Sequence, residues 1–92
     1  MQSVREMKGG VTIEMVNLPE LNGYQLLYKF ENGYGASVVK HDRSYGGKSG
    51  LYEIAVLDND GDLCYDTPIT SDVIGHLNMA EVDKILVNIS HL

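Results

Sequence analysis

Residues 42–50, DRSYGGKSG, contain Gly47-Lys48-Ser49, the tail of the loop that cradles nucleotide phosphates. That chemistry needs a glycine five positions before Gly47, so that the chain folds back and aims successive backbone amides at the phosphates. Position 42 is an aspartate, whose carboxylate repels phosphate, and Gly50 leads into a strand-like run rather than a helix. The segment therefore reads as a glycine-rich connection with Lys48 in solvent.

Residues 58–62, DNDGD, invite a calcium loop. With Gly61 at the sixth position of such a loop, Asp58 and Asp60 take the third and fifth, but the first and twelfth fall on Val56 and Thr67. Two ligating carboxylates are missing, and the run reads as a turn with Gly61 in the left-handed conformation. His41, Asp42, Arg43 and Ser44 are residue types of hydrolytic chemistry, yet neighbours on an extended chain point to opposite sides. His76 and His91 suggest no three- or four-ligand metal set. Cys64 has no second cysteine to pair with and reads as a small apolar strand residue. No catalytic residue, metal ligand or cofactor is assigned, and a small enzyme built around His41, Asp42 and Tyr45 ranks third among the readings.

The elements that hold these residues follow from periodicity. VTIEMV, residues 11–16, alternates Val11, Ile13 and Met15 against Thr12 and Glu14, as a half-buried strand does. Pro19 and Asn22-Gly23 turn the chain, and YQLLYKFE sets Tyr24, Leu26, Tyr28 and Phe30 on one face of a second strand. Asn32-Gly33 then predicts a type I′ hairpin returning through YGASVVKH, with Glu31 facing Tyr34, Phe30 facing Gly35, Leu26 facing Val39 and Tyr24 facing His41. LYEIAVL is a fourth strand, apolar on both faces and hence central. LCYDT is a fifth, and SDVIGHL after Pro68 a short helical turn. Asn78 with Glu81 has capping-box spacing, and Val82, Ile85, Leu86, Ile89 and Leu92 form one helical stripe. The expected architecture is α+β: an antiparallel meander of about five strands with a carboxy-terminal helix packed on one face.

Ninety-two residues make one domain with a modest core, its first ten residues forming a flexible amino terminus. Thirteen acidic against seven basic residues leave a net charge of −6, which disfavours nucleic acid as a partner. MQSVREMKGG has no apolar run and no stretch approaches a membrane span, so the reading is cytoplasmic. Asn88-Ile89-Ser90 matches a glycosylation acceptor by chance.

Six tyrosines against one phenylalanine and no tryptophan are the unusual feature of the composition. The hairpin register above puts Tyr34 on the opposite face from Tyr24 and Tyr28, so both faces carry aromatics while one helix covers one face. Either the amino-terminal segment and the glycine loop fold over the second face, or a partner does. The expected protein-binding residues are Tyr34 on that face, with Tyr45, Asp42 and Lys48 from the loop.

Four stretches, NGYGASVV, SYGGKSGLYEIAVL, CYDTPIT and DVIG followed by the terminal helix, together resemble a family of small uncharacterised proteins of bacteriophages and prophages. The resemblance covers about residues 31–92 and carries no assigned activity or site. It implies a small accessory protein made in a bacterial host during infection or lysogeny. The leading expectation is a non-enzymatic protein that binds a host or defence component, such as a CRISPR nuclease. A homo-oligomeric structural or regulatory phage module, paired as a homodimer, is the alternative.

Overall fold

The computed structural model describes residues 9–92. Of the flexible amino terminus expected over residues 1–10, all but Gly9 and Gly10 lies outside the described residues. Strands β1 (Val11–Leu18), β2 (Gly23–Phe30), β3 (Gly35–Lys40), β4 (Tyr52–Leu57) and β5 (Ile74–Leu77) form one sheet in chain order, every neighbour antiparallel. Helix α1 (Met79–Ser90) packs over β3, β4 and β5, so the fold is the α+β meander with a terminal helix. No helix among the described residues is long and apolar enough to cross a membrane.

Local chemistry explains the helix. Asn78 accepts the Glu81 amide at 2.8 Å and Glu81 Oε1 accepts the Asn78 amide at 2.9 Å, closing the capping box. Val82, Leu86 and Ile89 then fall on one side and meet Tyr28, Phe30, Ala36, Val38, Ile54, Val56 and Leu77 in a single apolar cluster. The DNDGD turn is equally local. Asp58 Oδ1 accepts the amides of Asp60 and Asp62, and Gly61 takes φ +82°.

The hairpin register differs from the type I′ expectation by one residue. Lys29 pairs with Gly35, Leu26 with Val38 and Tyr24 with Lys40. The loop holds three residues rather than two: the Gly33 amide donates to Phe30 C=O, the Phe30 amide donates to Tyr34 C=O, and only Gly33 has a positive φ, at +92°. Asn32 is held out of the left-handed region by its own side chain. Its Oδ1 accepts the Tyr34 amide at 2.9 Å and its Nδ2 donates to Ile89 C=O at 2.8 Å, tying the turn to the end of α1. Gly35 therefore lies beside Lys29 and Leu57, not under Phe30, and a Cβ there would collide with the Tyr28 carbonyl oxygen.

The fifth strand also lies elsewhere than expected. Residues 63–67 make a single bridge, Leu57 with Leu63, and one further backbone bond from the Cys64 amide to Val56 C=O, then leave the sheet. Residues 74–77, expected to lie in a helical turn, supply β5 instead. The strand carries a bulge: Gly75 and His76 together span the gap between Ile74, opposite Ile54, and Leu77, opposite Tyr52, and His76 adopts φ +58°. A Cβ on Gly75 would run into the Tyr45 side chain, so the loop over residues 41–51 is clamped to this edge. The Tyr45 carbonyl accepts the His76 amide at 3.0 Å.

Candidate protein-binding surface

A one-residue change of register moves a side chain to the other face. Because Tyr34 is bonded across from Phe30, it stands on the helix side and packs against the core with Tyr28 and Tyr52, and Tyr24 shares that side. The expectation of aromatics on both faces is thereby overturned. The face away from α1 carries Thr12, Glu14 and Val16, then Gln25, Leu27 and Lys29, then Ser37 and Val39, then Glu53, Ala55 and Leu57. Gln25 Nε2 donates to Ser37 Oγ across it at 2.8 Å.

Bare apolar surface lies instead beside the helix. Ile13 is 42% exposed and Met15 60% exposed, although both stand on the same side as the core, opposite Tyr28 and Leu26. The reason is width. Five strands spaced about 4.8 Å apart are broader than one helix of about 10–12 Å diameter, so a helix seated over β3 to β5 cannot reach β1. The mismatch is implicit in the amino-acid sequence, because a single amphipathic helix is too narrow for a five-stranded sheet.

β1 is also an edge. The Phe30 amide and carbonyl are engaged with the turn leading to β3, so Val11, opposite Phe30, turns its backbone groups outward, as do Ile13, Met15 and Asn17 by alternation. Among the described residues no strand pairs with the outer side of β1, and its eight residues carry one charge, Glu14, and no proline, few of the features that blunt a pairing edge.

The sequence-predicted residues do not gather into one site. Tyr34 precedes β3 while Asp42, Tyr45 and Lys48 follow it, and the six residues of the strand alone span roughly 20 Å. Asp42 accepts from Asn22 Nδ2 at 3.0 Å, the Tyr45 amide donates to Glu53 Oε1, and Lys48 is exposed on a short 3-10 turn, Gly47–Ser49. In that turn the Gly47, Ser49, Gly50 and Leu51 amides donate to Ser44, Gly46, Gly47 and Gly46 carbonyls, so they are already paired and do not converge on a phosphate. The Ser44 hydroxyl binds the His41 backbone, and His41 Nδ1 accepts the Arg43 amide, so the hydroxyl and the imidazole are each engaged with backbone.

A second feature arises where residues 63–67 leave the sheet, a departure that their strand-like composition hides. The β2–β3 turn and the segment over residues 58–66 enclose an open groove of about 780 Å³, lined by Asn32, Gly33, Tyr34, Asp58, Asn59, Leu63, Cys64, Tyr65 and Asp66. Leu63 is 57% and Tyr65 41% exposed. Cys64 Sγ donates to Asp66 Oδ1 at 2.9 Å, which pushes the thiol pKa up, and the charges of Asp66 and Asp58 push the same way. The thiol is thus held in its protonated, unreactive form. Asp58, Asp60 and Asp62 bring one carboxylate oxygen each to within 4.8 Å, a grouping accounted for by the turn hydrogen bonds of Asp58.

At the other end of the helix side, Tyr24 and Tyr52 share a hydroxyl–hydroxyl bond of 2.7 Å, with Lys40 Nζ 5.5 and 5.1 Å from their ring centres. Burial first, then the bond to Tyr52, pushes the Tyr24 pKa up to about 12. The lysine lying over both rings and the mutual hydroxyl bond make this a structural arrangement. No family model matches the chain, and no curated protein or solved structure matches it at a significant level.

Proposed function

We propose that this chain acts by binding another protein rather than by catalysis. The observation that carries this reading is the apolar strip on β1: Ile13 and Met15 remain exposed beside the core, on a strand whose outer side pairs with no other strand among the described residues. A partner strand laid along β1 would gain main-chain hydrogen bonds and cover both side chains, the mode of strand addition. In the phage setting that the sequence resemblance implies, the partner is a host or defence protein, a CRISPR nuclease among them.

The same edge favours a second reading, a homodimer through β1. An antiparallel copy centred on Ile13 would set Val11 against Met15 and Thr12 against Glu14, keeping the two Glu14 carboxylates from facing each other. Sedimentation at micromolar concentration and affinity capture from a bacterial host separate the two readings. A monomer that enriches one host protein, lost on Ile13→Lys with Met15→Lys, supports the first; a dimer broken by the same pair supports the second. A monomer whose captured proteins are unchanged by the double variant refutes both.

A further inference from the structure

We propose that the groove between the β2–β3 turn and residues 58–66 binds a basic segment of a partner protein, seating an arginine side chain against Tyr34 and Tyr65 with its guanidinium facing Asp58 and Asp66. The groove shares no residue with the β1 strip, so the inference stands apart from the reading of that edge.

Three properties of the groove point to this occupant. Its volume, about 780 Å³, accommodates several side chains of an extended segment rather than a lone ion. Its chemistry is one-sided: two carboxylates and two phenol rings line it, with no lysine, arginine or histidine among the lining residues. Asp60 and Asp62 continue the negative field in the same turn, within a chain of net charge −6. Finally, the exposed Leu63 and Tyr65 provide apolar area for the stem of the incoming residue.

Arginine suits this lining better than lysine. A guanidinium is planar, lies flat on a phenol ring and donates two parallel bonds to one carboxylate, whereas an ammonium is a strongly hydrated point charge. The Asn32 amide, engaged with Ile89 and Tyr34, holds the turn side of the groove in place.

The test is titration of the ¹⁵N-labelled chain with three blocked nine-residue peptides, Arg, Lys or Glu alternating with Gly, at low and at 300 mM salt. Saturable shifts confined to residues 32–34 and 58–66, tighter for the Arg peptide and weakened by salt, are expected. Tyr65→Leu and Asp66→Asn, both at exposed positions, should each weaken the Arg peptide roughly three- to fivefold. Glu20→Gln removes the same charge outside the groove and should change affinity by less than about twofold. The proposal fails if nothing saturates, if shifts scatter over acidic positions elsewhere, if Lys binds as tightly as Arg, or if Glu20→Gln weakens binding as much as Asp66→Asn. Dispersed amide spectra of each variant verify that it is folded. Should Tyr65→Leu lose that dispersion, Asp66→Asn against Glu20→Gln decides alone.

Discussion

Replacing Asn32 by aspartate distinguishes the observed turn from the two-residue turn that its sequence suggests. In a type I′ hairpin Asp-Gly serves nearly as well as Asn-Gly, so Asn32→Asp would cost less than about 0.5 kcal/mol. The structure makes a different demand. Asn32 Oδ1 accepts the Tyr34 amide, which a carboxylate can also do, but Nδ2 donates to the Ile89 carbonyl at the carboxy-terminal end of α1. Aspartate loses that donor, leaves a part-buried carbonyl without it, and puts a negative charge at the negative end of the helix dipole. The lost bond is worth about 0.5–1.5 kcal/mol and the dipole about 0.3–1 kcal/mol, so a loss of about 1–2.5 kcal/mol is expected. For a domain this size that is a fall in Tm of about 4–20 °C. Acid should relieve it: the introduced carboxyl, its pKa raised by the carbonyl, contributes destabilisation that shrinks as pH falls through its titration and the protonated group can donate. Urea melts of both proteins from pH 3 to 8, compared at each pH, measure the difference. An Asn32→Asp variant within 0.5 kcal/mol of the parent throughout refutes the tie between turn and helix.

Gly33→Val should cost about 1–3 kcal/mol in the same melts, and Gly33→Asn less, because φ +92° strains a β-branched residue most. Leu86→Ala, at a fully buried position, should cost about 3–5 kcal/mol and show in the melting temperature. In an ultraviolet titration of the tyrosines one phenol, Tyr24, should ionise near pH 12; being raised, its contribution to stability is complete below the ordinary tyrosine range and lost as pH rises through about 12, and Tyr52→Phe should lower it. ATP with magnesium should give no thermal shift, since the amides around Gly47 are bonded within their own loop; saturable binding abolished by Lys48→Ala would reverse that conclusion.

What the residues determined by themselves is local. The capping box of Asn78 and Glu81 starts α1 where the spacing says, the alternation of residues 11–16 makes a strand, and Asp58 folds its own turn around Gly61, because each partner lies within four residues. Tertiary structure decided the rest, through contacts distant in sequence. The hairpin closes on three residues rather than two, which puts Tyr34 on the helix side, and Asn32 in that turn bonds Ile89, 57 residues away. Residues 74–77 carry a glycine and a left-handed histidine and look like no strand alone; pairing with β4 and the Tyr45 clamp make them one. That one helix leaves part of a five-stranded sheet uncovered is implicit in the residues; that the bare part is β1, with Ile13 and Met15, comes from the packing of the helix over β3 to β5. The groove exists only because residues 63–67 leave the sheet after one bridge and come to rest against the β2–β3 turn.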